Sequence, residues 1–76
     1  MPSPDGRRPQ LTPQERAVLS ASATGLVIDE VAKLLGYSSE ETRRLIRSAI
    51  GKLGARSKLE AVIIALREGL IDPPDL

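Results

Sequence analysis

The chain has 76 residues, enough for one small domain with a thin core. It contains neither cysteine nor histidine, so disulfides, thiolate or imidazole metal sites and Cys/His catalysis are excluded, and no cofactor is expected. Eleven basic residues face ten acidic ones for a net charge of +1, so any affinity for nucleic acid must come from where the charges sit.

No apolar run approaches the roughly 20 residues of a membrane span. The opening Met1-Pro2-Ser3-Pro4-Asp5-Gly6-Arg7-Arg8 has no apolar stretch like that of a signal peptide. The expectation is a soluble cytoplasmic protein without a membrane partner. Tyr37 is the one aromatic residue, which speaks against single-stranded nucleic acid, whose binders usually stack bases on several rings.

Residues 1–10 carry three prolines, one glycine and two arginines and read as a flexible arm or linker. That plain reading outweighs a role for Arg7 and Arg8 at phosphates or in a minor groove. The domain is placed at 11–71, with 72–76 as a tail. Thr12-Pro13-Gln14-Glu15 is a capping box with proline at the first helical position, so a first helix starts there and Gly25 ends it. A second helix spans about Asp29 to Leu35, with Val31, Ala32 and Leu35 inward, Gly36 as its stop and Asp29 as a candidate cap. Ser38-x-x-Glu41 opens a third helix that runs to Leu53, and Gly54 ends it. A fourth begins near Ser57, with Glu60 completing another box, and continues to about Glu68 before Gly69. No strand pattern is present. The expected fold is all-α, with the second and third helices forming a helix-turn-helix.

At about 100° per residue, Arg43, Arg44 and Arg47 share one face of the third helix, opposite Thr42, Ile46, Ala49, Ile50 and Leu53. Such a helix suits the major groove, where arginine can donate two bonds to a guanine edge. On the arginines alone, a solvated basic face is an equally good reading. Glu40 lies on the same face and is expected to pair with Arg43 or Arg44. In the fourth helix the apolar run Ala61–Leu66 exceeds what one core face needs. With Leu59, Val62, Ile63, Leu66 and Leu70 turned inward, Ala61, Ile64 and Ala65 point outward as a candidate helix–helix contact. The carboxylates are scattered, and no metal-ligand cluster or phosphate loop exists, so the chain is not expected to be an enzyme.

The ordered set Leu11-Thr12-Pro13-Gln14-Glu15-Arg16, Val18-Leu19, Gly25-Leu26, Glu30-Val31-Ala32, Leu35-Gly36, Ser38, Arg43, Lys52-Leu53-Gly54, Arg56-Ser57, Glu60-Ala61 and Leu66-x-x-Gly69-Leu70-Ile71 resembles the DNA-binding domain of LuxR-type (GerE-like) bacterial transcription regulators. The match runs without a gap from Leu11 to Ile71. The resemblance implies a four-helix domain whose third helix reads DNA through Arg43, Arg44 and Arg47. It also implies that Lys52 and Arg56 lie near the phosphate backbone, and that the fourth helix dimerises. The implied partners are double-stranded DNA, a second copy of the chain, and transcription machinery or a regulatory protein. The chain departs from the family pattern at Val27-Ile28, where Ser-Asn is common, at Glu41 (usually Thr), at Leu45 (often His) and at Gly51 (often basic). These departures put backbone anchoring in doubt. Two alternatives follow: a protein-interaction module with a degenerate helix-turn-helix that docks a partner through the fourth helix, or a promoter-reading domain like sigma region 4.

Overall fold

The computed structural model describes residues 10–74, so the proposed arm with Arg7 and Arg8, and the end of the tail, lie outside the described residues. Four helices follow in order: α1 (Pro13–Ala23), α2 (Ile28–Leu35), α3 (Ser39–Leu53) and α4 (Lys58–Arg67). There is no strand among the described residues.

Each start is fixed by local chemistry. The first turn of a helix leaves backbone N–H groups without partners, and a nearby side-chain oxygen supplies the missing acceptor. At α1 the Thr12 Oγ1 accepts from the Glu15 N–H at 3.1 Å, and the Glu15 carboxylate accepts from the Thr12 N–H at 2.8 Å. At α3 and α4 the hydroxyls of Ser38 and Ser57 accept from Glu41 and Glu60 at 3.0 and 3.1 Å. Glu60 reaches one residue further back than the box motif predicts and accepts from the Arg56 N–H at 2.7 Å. Helix α2 departs from expectation. Asp29 is not its cap; Val27 occupies the N-cap position and has no polar side chain to offer. Glu30 compensates from inside the helix by accepting from the Val27 N–H at 3.0 Å. Asp29 instead accepts from the Ser39 hydroxyl at 2.6 Å, which ties the first turn of α2 to the first turn of α3.

The turn between these two helices passes through Gly36 at φ +77°, a left-handed conformation that a Cβ would strain. The Tyr37 N–H returns to the Ala32 carbonyl at 2.9 Å and closes the end of α2.

Helices α1 and α3 form the centre. Both touch α2 on one side and α4 on the other, while α2 and α4 do not meet. Two apolar clusters result. One gathers Leu11, Leu19, Ala49, Ala61, Val62 and Ala65 under α4. The other gathers Val18, Ala21, Val31 and Ile46 under α2, with Leu45 and Tyr37 packed against it. Ile50 packs against both. Many of the buried positions are alanines, so the helix backbones approach closely. Thr42 is fully buried, and its hydroxyl donates to the Ser38 carbonyl at 2.9 Å, so the polar atom is satisfied.

Candidate nucleic-acid interface

Helix α3 has two faces. Thr42, Ile46 and Ala49 are buried against α1, α2 and α4. Glu40, Arg43, Arg44, Arg47 and Gly51 are all exposed, and the spacings 40–43, 40–44, 43–47, 44–47 and 47–51 of three or four residues put them on one stripe. The structure therefore brings the three arginines together on one solvent-facing stripe. Glu40 makes no ion pair with Arg43 or Arg44 among the described residues, contrary to expectation, so the guanidinium groups are unengaged there. The stripe is held from behind by apolar contact and from its N-terminal end by the Ser39–Asp29 bond. Leu45 sits at its flank, half-buried, where it packs against the second cluster.

Arg56 is exposed beyond the C-terminus of α3, separated from the stripe by the Gly54 turn at φ +66°. Lys52 behaves differently. Its ammonium donates to the Glu15 carboxylate at 2.8 Å and to the Gln10 carbonyl at 3.3 Å. Within the protomer Lys52 thus has an acidic partner on α1, which its family position near the phosphate backbone did not lead us to expect. Glu15 is only 3% exposed and accepts three bonds at once: from the Thr12 N–H, from Lys52, and from the Ser48 hydroxyl at 2.6 Å. Burial pushes its carboxyl upward, but the bonds from Lys52, Ser48 and the Thr12 backbone, with the charge of Lys52, outweigh that and hold it below the ordinary glutamate value. The sequence reading took Glu15 as a cap alone and did not single out Ser48. The available signal was the spacing: Ser48 and Lys52 lie one turn apart at the edge of the apolar face of α3, where polar groups need a partner.

The expected faces of α4 are corrected. Ala61 and Ala65 are 0% exposed and lie in the core of the protomer. Leu59 and Ile63, expected inside, are 69% and 46% exposed. Ala61, Val62 and Ala65 sit where α4 meets α1 and α3, and Leu59 and Ile63 are left on the outside. Ile64 is half-buried and lines an open groove with Lys52, Leu53, Glu60, Arg67 and Glu68. The outward apolar pair on α4 is thus Leu59 with Ile63, one turn apart.

No group of acidic residues able to hold a metal ion occurs among the described residues. Among them, too, no helix is long and apolar enough to cross a membrane.

Comparison with known proteins gives this geometry a family. The family described as "Bacterial regulatory proteins, luxR family" matches residues 9–65. The chain is 42% identical over 62 residues to the transcriptional regulatory protein YdfI of Bacillus subtilis (strain 168), covering 82% of this chain and 29% of that protein. It is 33% identical over 64 residues to the transcriptional activator protein BjaR1 of Bradyrhizobium diazoefficiens, covering 84% of this chain and 26% of that protein. The chain therefore spans well under a third of the length of these relatives. A solved structure of the transcription factor GerE superposes with a TM-score of 0.79 at 26% identity, covering 86% of this chain and 97% of that one. With four helices, a helix-turn-helix at α2–α3 and this match over most of its length, the chain belongs to the luxR family of bacterial regulatory proteins as a DNA-binding domain.

Proposed function

We propose that the chain reads double-stranded DNA in the bacterial cytoplasm by laying α3 in the major groove, and that it does so as a homodimer paired through α4 to regulate transcription. The observation that carries this reading is the stripe of Arg43, Arg44 and Arg47 opposite the buried Thr42, Ile46 and Ala49. Three guanidinium groups with no ion pair among the described residues, on a capped helix, match both guanine edges and phosphate oxygens. Arg56, exposed at the far end, extends the basic edge toward the backbone. Glu40 and Glu41 concentrate negative charge at the other end of α3, which repels phosphate there and favours a docking tilt that leads with the arginines. The pairing surface is Leu59 and Ile63, the exposed apolar pair of α4. A two-fold dimer through it would address half-sites about one DNA turn apart.

The test is fluorescence anisotropy with a duplex enriched by the natural chain from a random-sequence pool, titrated across a salt series. The natural chain is compared with Arg43→Ala/Arg44→Ala/Arg47→Ala. Binding should weaken steeply with salt, with a log–log slope of about 0.9 per phosphate neutralised. The triple variant should lose that binding with its helical circular dichroism intact. Failure of the natural chain to enrich any duplex, or equal binding by the variant, would refute the reading and favour the alternative in which α4 docks a protein partner.

A further inference from the structure

Glu15 lies on α1, away from the arginine stripe, yet its bonds converge on the helix that carries it. Oε1 accepts from the Thr12 N–H and from Lys52, and Oε2 accepts from Ser48. Ser48 and Lys52 are one turn apart on α3, on the side that faces α1. Lys52 also holds the Gln10 carbonyl, where the chain enters the domain. One buried carboxylate therefore fixes the start of α1, two successive turns of α3 and the incoming backbone. Apolar packing sets the distance between two helices well, but a helix can still roll or slide by fractions of an ångström in a smooth apolar seat. Charge-assisted bonds have narrow geometric tolerance and remove that freedom.

We propose that Glu15 is a positioning residue for DNA reading, gripping α3 through Ser48 and Lys52 so that the stripe of Arg43, Arg44 and Arg47 meets the groove at one fixed rotation. The proposal rests on α3 being the reading helix. It has a corollary: Lys52 spends its charge inside the protomer, so it does not displace counterions from DNA.

The variants are chosen so that no buried charge is stranded. In Glu15→Gln/Lys52→Met both charges leave together, while the glutamine oxygen can still accept from the Thr12 N–H and its amide can still meet Ser48. Ser48→Ala removes the other grip and leaves the ion pair and the α1 cap. Each is measured by anisotropy against the enriched duplex and against a scrambled duplex of equal length, over a salt series, at a temperature where circular dichroism shows the variant fully folded. Because the readout is the ratio of the two affinities, a role in stability alone would not move it.

The enriched-to-scrambled ratio should fall about tenfold in Glu15→Gln/Lys52→Met, comparable to the loss of one base contact. A smaller fall in the same ratio is expected for Ser48→Ala. The salt slope should stay that of the natural chain in both. An unchanged ratio in both folded variants would overturn the positioning role. A slope reduced by about 0.9 in the variant lacking Lys52 would place that lysine on a phosphate and overturn the corollary along with the grip. A natural chain that enriches no duplex from the pool would instead remove the reading helix itself, and the proposal with it.

Discussion

Gly51 stands on the exposed stripe of α3, three residues before the Gly54 that ends the helix. Its backbone is helical, and a Cβ built on it meets nothing within 4 Å. Gly51→Ala therefore adds no clash and removes only the conformational freedom that glycine enjoys in the unfolded chain. In a helix interior that difference is about 1 kcal/mol. The last turn frays, so we expect the lower part of the range, about 0.5–1 kcal/mol. For a domain of 60–100 residues this raises Tm by about 3–6 °C. The assay is thermal unfolding followed by circular dichroism at 222 nm, with both chains dilute and in the same buffer. Gly54→Ala is the control of opposite sign. Space is open there too, but φ is +66°, and an alanine in that conformation costs about 1–2 kcal/mol. A Tm for Gly51→Ala equal to or below that of the natural chain would refute the reasoning, because it would mean that the backbone at this position is not free to take a side chain.

Three further outcomes are expected. Ile63→Glu should abolish self-association in sedimentation equilibrium while leaving the stability of the dilute protomer within about 0.5 kcal/mol, as surface substitutions usually do; Ala65→Glu, two residues on and fully buried on the other side of α4, should unfold the domain. If instead Ala65→Glu is tolerated and only association is lost, the α4 faces are those expected from sequence. Glu15 is held below its unfolded value, so its contribution to stability is fully present above about pH 4.3. It should be lost as pH falls through the lower folded value, and the acid limb of a chemical-denaturation series should flatten in Glu15→Gln. Leu19→Ala empties a fully buried site beneath α4 and should cost about 2–5 kcal/mol by the same denaturation measurement, a large share of the total for a chain of this size.

What could be read from sequence was what chemistry decides locally. Thr12, Ser38 and Ser57 announced three helix starts because a capping hydroxyl and its target lie three residues apart. The outward set of Arg43, Arg44 and Arg47 was legible because charged and apolar residues alternate along α3 and mark its phase. Helix α4 carries no such mark: Ala61 to Leu66 is uninterrupted, and any rotation offers an apolar face. Close packing against α1 and α3 selected the alanines, a choice made by shape and not by hydrophobicity. Val27 misled for a related reason, since the acceptor for its N–H comes from Glu30 and not from its own side chain. The Glu15 node was hidden because its partners Ser48 and Lys52 lie 33 and 37 residues away, beyond any local pattern.

The separation of the two faces of α3 bears on how this domain could acquire a new target. Glu40, Arg43, Arg44, Arg47 and Gly51 neither fill the core nor complete a described bond network. The side chains that hold the helix in place are Thr42, Ile46, Ser48, Ala49 and Lys52. Substitutions on the exposed stripe can thus be sampled freely without eroding the scaffold. A library randomised at those five positions should retain folded members in high proportion, and selection from it would act on recognition alone. The same partition leaves drift in natural sequences free to rewrite the stripe while the helix beneath it stays where it is.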